Sequence, residues 1–307
     1  MIEARELSRS FGEKKAVDGV SFSVRPGEIF AFLGPNGAGK TTTVRMLTGV
    51  LSPTSGTASI MGYDIRRQPL QSRAAIAVVP EESNVYMDLT VRRNVLLMAE
   101  LYGVPRGARL ERASSLLDRL GLAERADQRA AALSKGLRQR LVLAAALVTG
   151  PEVLFLDEPT SGLDVHSARL IREIVTDLQA GGITVFLTTH NMEEAGELSS
   201  RIAIIRRGEL VAIDTPDRLR NAIRSSQFVE VGLEGDLRES ELAALEGVTG
   251  LERTGELWRL LTSDPGGTAS AVVAEASRRG AHISHICTRK PSLEEVFLHL
   301  TGDGSGR

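Results

Sequence analysis

Residues 34–42 match the phosphate-binding pattern G-x-x-x-x-G-K-[ST] in full. They are Gly34, Pro35, Asn36, Gly37, Ala38, Gly39, Lys40, Thr41 and Thr42. The apolar run Ile29–Leu33 precedes them and is typical of a parallel strand buried on both faces. The segment Thr43–Thr48 follows without a helix breaker and predicts the start of a helix. A strand, a glycine-rich turn and a helix therefore come in the order that a nucleotide-binding loop requires.

In such a loop each residue type has a chemical task. The backbone N–H groups of residues 37–41 form an anion nest, and the positive end of the helix dipole lies behind them. Lys40 places a point charge at the β- and γ-phosphates, and the Thr41 hydroxyl can join the shell of a Mg²⁺ ion. The alternative, a strand-to-helix turn that is rich in glycine by chance, does not explain the lysine and the threonine. The loop predicts nucleotide binding.

An aromatic residue, Phe11, ends the first alternating segment of the chain. An aromatic face is a suitable stacking platform for a purine ring. A half-buried strand aromatic explains the same residue equally well. Both interpretations of Phe11 stay open at this point.

Two carboxylates follow a second buried strand. Val153–Leu156 is apolar and leads directly into Asp157 and Glu158. Because ligands of an open parallel sheet bind at the carboxyl ends of its strands, we expect both acids beside the phosphates. Asp157 is suited to the Mg²⁺ shell, and Glu158 to a water on the γ-phosphate, as base or positioner. Acids are also common where a helix begins after a strand, and this alternative gives the two residues no role in chemistry. The phosphate-binding loop that begins at Gly34 argues against it.

A histidine ends a third strand of this kind. The β-branched segment Ile183–Thr189 runs into His190, the only histidine of five that we place at a strand's carboxyl end. An imidazole there can donate a hydrogen bond to the same γ-phosphate, whether it is neutral or charged. We therefore predict that Lys40, Glu158 and His190 form the catalytic group.

The composition restricts the class of protein. The 307 residues include 37 basic and 39 acidic side chains, and the net charge of −2 argues against a nucleic-acid binder. The single cysteine, Cys287, permits no disulfide framework and favours a reducing cytosol. We expect no signal peptide, because the first ten residues are charged throughout, and no apolar run approaches the ~18 residues that a membrane span needs.

The order of predicted elements indicates two domains. Residues 1–220 alternate strands and helices as an α/β domain, with a helical insertion at about 84–149 and the strand Val20–Val24 near the start. Residues 221–307 predict a small α+β domain of the split βαβ, ferredoxin-like kind, with no catalytic grouping. The boundary is a polar helix and linker within 216–226. The last residues, 301–307, are rich in Gly and Ser and predict a disordered tail.

Together these motifs resemble the ATP-binding cassette (ABC) ATPases over about residues 2–220. The resemblance implies a P-loop NTPase cassette fold: a RecA-like parallel sheet core with an antiparallel β edge and a helical subdomain. In that family Phe11 falls at the adenine-stacking aromatic and His190 at the switch histidine. The segment Leu133–Arg140 resembles the signature loop, in which Ser134 and Gly136 meet the γ-phosphate bound by a second subunit. Ser161–Asp164 resembles the loop that crosses the dimer interface, which implies that Asp164 is close to that nucleotide.

Two residues depart from the family pattern. Glu81 stands where a Gln normally touches Mg²⁺, so the resemblance places it near the metal and leaves its role as a ligand in doubt. Lys135 and Leu137 replace the commonest Gly and Gln of the signature. With the closing segment Pro291–Leu298, these departures resemble the ATPase subunits of type-2 exporters, among them drug exporters of the daunorubicin-resistance kind.

The resemblance implies an ATP- and Mg²⁺-dependent ATPase that energises export of a drug, lipid or other small molecule through a separate polytopic membrane permease. It implies a dimer, for which a homodimer is expected, and a location at the cytoplasmic face of the membrane through the permease. A different class remains: a cassette ATPase that acts as a mechanical switch on ribosomes or DNA. Three features argue against this class: the chain has one cassette, it has no sustained heptad repeat, and its net charge is −2. A regulatory or dimer-stabilising role of the C-terminal domain is compatible with export.

Overall fold

The computed structural model describes residues 1–82, 84–221, 227–235, 238–289 and 291–301. It divides into two compact units, Met1–Thr215 and Pro216–Arg307. The division falls at Pro216, the first residue of a helix, whereas the prediction set the boundary after residue 220. Residues 222–226 of the predicted linker and 302–307 of the predicted disordered tail lie outside the described residues.

The first unit alternates strands and helices. Its strands are β1 (Ile2–Phe11), β2 (Lys14–Val24), β3 (Ile29–Leu33), β4 (Ser55–Ile60), β5 (Tyr63–Asp64), β6 (Ile76–Val79), β7 (Val153–Asp157), β8 (Thr184–Thr189), β9 (Arg201–Arg206) and β10 (Glu209–Asp214). Its α-helices are α1 (Lys40–Leu47), α2 (Pro69–Ala74), α3 (Val91–Leu101), α4 (Arg106–Arg119), α5 (Lys135–Leu147), α6 (Val165–Ala180) and α7 (Met192–Leu198). Two short 3₁₀ turns, Ala123–Arg125 and Ala130–Ala132, precede α5.

A six-stranded sheet with the order β10-β9-β3-β8-β7-β6 forms the centre of this unit. Strands β9, β3, β8, β7 and β6 are parallel, and β10 is an antiparallel edge. Every residue of β3, β7 and β8 is buried, as expected of strands covered on both faces. The predicted parallel core with an antiparallel edge is confirmed.

A separate antiparallel sheet, β2-β1-β4-β5, covers one face of the core. Strand β2 begins six residues before the predicted segment Val20–Val24, at Lys14. The β1–β2 pairing contains three register shifts, between residues 4 and 10 of β1. Such bulges break the period-2 alternation, so the polar part of β2 carries no strand signal.

Phenylalanines join the two sheets. Phe186 of β8 lies within 5.3–5.8 Å of Phe22, Phe30, Phe32 and Phe155, measured between ring centroids. Tilted rings at this spacing are favourable beyond their buried area. This cluster holds β3, β7 and β8 in a fixed register behind the ends of the strands.

The predicted helical insertion consists of α3, α4 and α5. Thr90 caps α3 by accepting a hydrogen bond from the Arg93 N–H at 3.1 Å, as its position predicts. Ser134 caps α5 in the same way, with the Leu137 N–H at 3.3 Å. None of the helices in the described ranges is long and apolar enough to cross a membrane.

The second unit has the order α8 (Pro216–Asn221), β11 (Phe228–Glu234), α9 (Glu239–Ala243), β12 (Val248–Thr254), β13 (Leu257–Thr262), α10 (Pro265–Arg279), β14 (His282–Arg289) and α11 (Leu293–Thr301). The four strands form an antiparallel sheet with the order β12-β13-β11-β14. This is the strand order of the split βαβ arrangement that the sequence predicts. Its apolar core includes Val229, Val231, Leu260 and Val272.

Candidate active site

The carboxyl ends of β3, β7 and β8 meet at one edge of the central sheet. Leu33 pairs with Thr189, and Asp157 pairs with Thr188. The loop that follows β3, the acid that follows β7 and the histidine that follows β8 therefore start from adjacent points. The sequence placed its candidates at these three strand ends.

Two glycines let the loop after β3 pass close to the backbone of its neighbours. A Cβ atom on Gly34 would lie 2.4 Å from the carbonyl oxygen of Ile205. At Gly39, the N-cap of α1, it would lie 2.6 Å from the Ala16 carbonyl oxygen, and φ is +111°. Neither position accepts a side chain, so these glycines set the shape of the loop.

The loop borders a cavity of about 570 Å³, a size typical of small-ligand sites. Predicted residues that line it are Phe11, Pro35, Asn36, Gly37, Gly39, Lys40, Thr41, Thr42, Glu81 and Glu158. Gly34 and Ala38 of the loop are buried behind them. Lys14, Lys15 and Arg207 add positive charge to the lining. The cavity is therefore suited to a polyanion with an attached aromatic group.

Lys40 is buried and folded back over its own loop. Its Nζ donates to the carbonyl oxygens of Gly34 and Pro35 at 2.7 and 3.2 Å. The same Nζ lies 3.0 Å from Glu158 Oε1, and both side chains are 6 % exposed. The approach to Oε1 falls outside hydrogen-bond geometry, so this contact is an ion pair, and Oε1 has no hydrogen-bond partner in the described part of the chain.

Glu158 is held from both sides. Its Oε2 lies 2.8 Å from Nδ1 of His190 and accepts the His190 backbone N–H at 3.3 Å. Its backbone lies in the left-handed region, with φ of +51°, which non-glycine residues rarely adopt. Strain of this kind persists where surrounding contacts over-determine it, often at functional sites. The turn directs the carboxylate toward the loop rather than along the strand.

Asp157 sits at the end of β7, buried and surrounded by hydroxyl groups. Its Oδ1 accepts a short hydrogen bond from Thr188 Oγ1 and a longer one, at 3.4 Å, from Thr41 Oγ1. The structure thus brings Thr41 and Asp157 together, as predicted for a shared metal. Glu81 is exposed and lines the same cavity as Thr41.

The oxygen donors fit a magnesium ion. Mg²⁺ prefers hard oxygen ligands and usually keeps several waters, taking one or two protein groups and substrate phosphates. Thr41 and Asp157 are such groups: Thr41 lines the cavity, and Asp157 accepts its hydroxyl. Among the residues described, no cluster of three His, Cys, Asp or Glu side chains forms a protein-only metal cage.

The signature segment lies at the start of α5, away from this cavity. Ser134 and Gly136 are not among its lining residues, and neither is Asp164, which caps α6 by accepting the Ser167 N–H at 2.9 Å. The Ser167 hydroxyl and backbone hydrogen bonds lower the pKa of Asp164. Lys135, the departure from the family pattern, donates to the Ser161 carbonyl oxygen at 2.8 Å. The chain therefore joins its signature segment to the loop after Glu158.

Phe11 ends β1 at the rim of the cavity and is 50 % exposed. The Arg9 guanidinium carbon lies 4.7 Å from the centre of its ring. A cation on an aromatic face is a favourable contact and restrains the ring. The aromatic surface that remains exposed is available to a base.

Sequence reasoning missed two polar residues at this edge. Thr188 donates to Asp157 and also receives the Glu158 N–H at 3.2 Å, although it reads as an ordinary strand threonine. Glu194 is buried in α7 with a hydrogen bond from Thr160. Its position three residues after Asn191 is the only signal, and that spacing indicates a helix start rather than a buried acid.

Comparison with known proteins identifies the family. A family model described as "ABC transporter" matches residues 17–161. A second, described as "ATP-binding protein DrrA1-3-like, C-terminal domain", matches residues 215–301. The Nod factor export ATP-binding protein I of Paraburkholderia xenovorans is 40 % identical over 302 residues, covering 98 % of this chain and 97 % of the relative. This chain belongs to the ABC transporter ATP-binding family.

Other members of the ABC family agree with this assignment. The daunorubicin resistance ATP-binding protein DrrA2 of Streptomyces coeruleorubidus is 38 % identical, covering 98 % of this chain and 95 % of the relative. Among solved structures, a dimeric post-hydrolysis state of the cassette MJ0796 bound to ADP and Pi matches with a TM-score of 0.64 and 25 % identity. The match covers 70 % of this chain and 99 % of that one. The chain is an ABC-type ATPase, and the proteins of this family bind ATP and ADP.

Proposed function

We propose that this ABC protein is the ATP-hydrolysing subunit of an exporter, and that it energises the export of a drug, lipid or other small molecule through a separate membrane permease. Lys40 and Glu158 line the cavity at the phosphate-binding loop, and His190 contacts the Glu158 carboxylate; this arrangement carries the hydrolytic part of the proposal. Two relatives that align over nearly their whole length, a Nod factor export ATP-binding protein and a daunorubicin resistance ATP-binding protein, support the export part. Nothing favours the alternative switch on ribosomes or DNA.

In the proposed reaction Lys40 leaves Glu158 and binds the β- and γ-phosphates of ATP. Glu158 accepts a proton from a water, whose oxygen attacks the γ-phosphorus as the bond to ADP breaks. His190, which contacts Oε2 of the same carboxylate, orients Glu158 and donates toward the γ-phosphate. Preorganised charges of this kind act strongly because the pair is buried.

We assign the metal site to Thr41 and Asp157. A bound Mg²⁺ neutralises charge that develops on the phosphate oxygens. Thr188 holds Asp157 in place for this role through its hydroxyl group. Glu81 is exposed at the cavity and is proposed as an outer neighbour of the metal.

The active unit is proposed to be a dimer with two ATP molecules between its subunits, and a homodimer is expected. Ser134, Gly136 and Asp164 of one chain would then complete the site of the other. They lie at the starts of α5 and α6, outside the chain's own cavity, which supports a role toward a partner. The related cassette MJ0796, solved as a dimer bound to ADP and Pi, supports a dimeric unit.

An apolar groove beside α3 is the proposed docking site of the permease. The groove has a volume of about 360 Å³, and its lining includes Val50, Val78, Met98, Tyr102 and Ala146. Val50 and Tyr102 are 75 % and 63 % exposed, which is unusual for large apolar side chains that lie together. The groove continues into a second cavity of about 620 Å³. The same apolar side chains line that cavity together with Thr41, Glu81 and Asp157. A partner seated here would contact the metal side of the nucleotide site.

Phe11→Ala is expected to weaken ATP binding roughly 5- to 150-fold, because base–aromatic stacking contributes about 1–3 kcal/mol. Phe11→Tyr keeps the ring and should bind ATP as the wild type does. Titration with inorganic tripolyphosphate, which has no base, should give the same Kd for all three proteins. Equal losses for ATP and tripolyphosphate in Phe11→Ala would mean that the ring does not hold the base.

Tyr102→Asp is expected to reduce association with the permease at least about tenfold, since a charge then faces a desolvated apolar contact. Its ATP affinity should stay within about twofold of the wild type. Leu110→Asp is the matched control: Leu110 is 57 % exposed in the same helical insertion but does not line the groove. Co-purification from detergent-solubilised membranes measures the effect, and equal recovery of both variants would contradict the docking site.

Co-purification tests the export function itself: the wild-type chain is isolated from solubilised membranes of the cells that produce it, and the proteins bound to it are identified. We expect a polytopic protein of about six spans, and ATP-dependent transport when both are placed in vesicles. Recovery of ribosomes or DNA instead would favour the switch. Hydrolysis without any membrane partner would support only the ATPase.

A further inference from the structure

Helix α7 carries a buried acid that none of these steps uses. Glu194 is 1 % exposed, although it lies only four residues after His190. Its backbone N–H donates to the Asn191 side chain at 3.0 Å, the N-cap of α7. The helix start therefore fixes the position from which the Glu194 side chain enters the interior.

The carboxyl of Glu194 joins two segments of the active site. Its Oε1 accepts the Thr160 hydroxyl at 2.7 Å. The Thr189 hydroxyl is close enough to influence the same carboxyl, and it accepts the Asn191 N–H at 3.0 Å. Glu194 Oε2 has no hydrogen-bond partner in the described part of the chain. A buried carboxylate oxygen without a partner is costly, so the position needs an explanation.

Thr160 belongs to the turn that begins at Glu158. The Ser161 N–H donates to the Glu158 carbonyl oxygen at 3.1 Å and closes this turn. On its outer side the turn is held by Lys135, which donates to the Ser161 carbonyl oxygen. On its inner side it is held by the hydrogen bond from Thr160 to Glu194. The strained backbone of Glu158 thus stands at the start of a turn that is fixed from two sides.

A cavity of about 350 Å³ lies beside these groups. Its lining includes Glu158, Thr160, His190, Glu194 and Arg172. The proposed base and the buried acid therefore line the same cavity. Arg172 is not committed to Glu194, because it pairs with Glu197 at 2.7 Å.

Charge in this space favours the protonated acid. Burial raises the pKa of Glu194 above its ordinary value of 4.5, and the negative charge of Glu158 acts in the same direction. The Thr189 and Thr160 hydroxyls and the positive charge of Arg172 oppose the shift without cancelling it. A proton on the carboxyl also makes the unpartnered oxygen a neutral hydroxyl, which costs less to bury.

We propose that Glu194 is a positioning residue for Glu158: it holds the turn at Thr160 against the strand end that carries His190, and so sets the carboxylate of Glu158 relative to the attacking water. It touches neither the nucleotide nor the reacting atoms. Its effect is on kcat, because the loop that binds the phosphates lies elsewhere.

The first test measures kcat and KM for ATP hydrolysis by variants of α7. It uses the full chain, together with any partner subunit that hydrolysis requires. Glu194→Ala should lower kcat about tenfold or more, since small displacements of a reacting group are expensive, and leave the KM for ATP within about twofold. Glu194→Gln keeps the shape and an acceptor for Thr160, and should stay within about twofold of the wild-type kcat at neutral pH. The control is Glu193→Gln, which should match the wild type: Glu193 also lines this cavity, but it is exposed and is not the residue that accepts the Thr160 hydroxyl.

The second test is the pH profile. A raised pKa in the folded protein means that the stabilising contribution of Glu194 is complete below 4.5 and is lost as pH rises through the folded-state pKa. Glu194→Gln has no such group, so the ratio of its kcat to that of the wild type should increase with pH between 5 and 9. A constant ratio, or a Glu194→Ala protein with the wild-type kcat, overturns the proposal.

Thr160 provides a test if Glu194→Ala does not fold. Thr160→Val removes only the donor and should lower kcat, while Thr160→Ser keeps the hydroxyl and should restore it. A Thr160→Val protein that turns over ATP at the wild-type rate overturns the proposal. Failure of the proposed function is distinguishable, because the wild-type chain would then energise no transport although these variants still differ in ATP hydrolysis.

Discussion

Glu158→Gln protein is expected to retain ATP and to hydrolyse it at least about 100-fold more slowly than the wild type. The amide cannot accept the proton of the attacking water, and a general base contributes on the order of 10²- to 10⁴-fold. It also cannot form the ion pair with the Lys40 ammonium, which lies 3.0 Å from Oε1. Lys40 is then free for phosphate, so ATP should bind at least as tightly as in the wild type.

Two measurements check this result: steady-state phosphate release, and size-exclusion chromatography with light scattering in ATP. Trapped ATP should hold the variant as dimers if the proposed assembly is correct, because the bridging γ-phosphate stays in place. Glu152→Gln is the matched control. Glu152 is an exposed acid that directly precedes β7, at the end of the strand away from Glu158. Turnover by Glu158→Gln at the wild-type rate would show that another group is the base.

Lys40→Ala is expected to abolish measurable hydrolysis and to weaken ATP binding strongly. The substitution removes the one buried ammonium that the loop carries and leaves Glu158 with a single partner, His190. Removing one member of a buried ion pair leaves an uncompensated charge, which is strongly destabilising. The nucleotide-free double variant Lys40→Ala, Glu158→Gln should therefore be more stable than Lys40→Ala alone.

Lys15→Ala separates this specific role from general attraction. Lys15 lines the same cavity but is exposed and paired with Asp18 at 2.8 Å, and that contact raises its pKa. Its loss should change turnover less than about threefold, since exposed pairs contribute little. Isothermal titration and thermal unfolding in the absence of nucleotide give the two quantities. Equal losses of ATP affinity and turnover in Lys40→Ala and Lys15→Ala would show that Lys40 contributes only general positive charge to the cavity.

The parts of the site that a local pattern describes could be predicted from the sequence. Gly34 and Gly39 occur at fixed spacing because the close approach of the loop to Ile205 and Ala16 leaves no room for a side chain at either position. The ends of β7 and β8 could be predicted because fully buried strands are continuous apolar runs. The fold class followed from the order of these runs, and the relatives confirm it.

The residues that act across elements could not be predicted in this way. Thr188 and Glu194 contact Asp157 and Thr160 from other strands and helices, and nothing near them in the sequence indicates those partners. The polar half of β2 was missed because register shifts break its alternation. The short β5 and α2 carry too few residues for a periodicity to be visible. The roles of Phe11, Ser134, Glu81 and Asp164 remain predictions.

The contact between Lys40 and Glu158 has a consequence for the resting enzyme. While Lys40 and Glu158 are paired, the ammonium is not available to bind other anions, and the carboxylate is not available to accept a proton from water. An arriving triphosphate must compete with an internal carboxylate for its cation. After the γ-phosphate has left, Glu158 can pair with Lys40 again, and this competition favours release of the diphosphate.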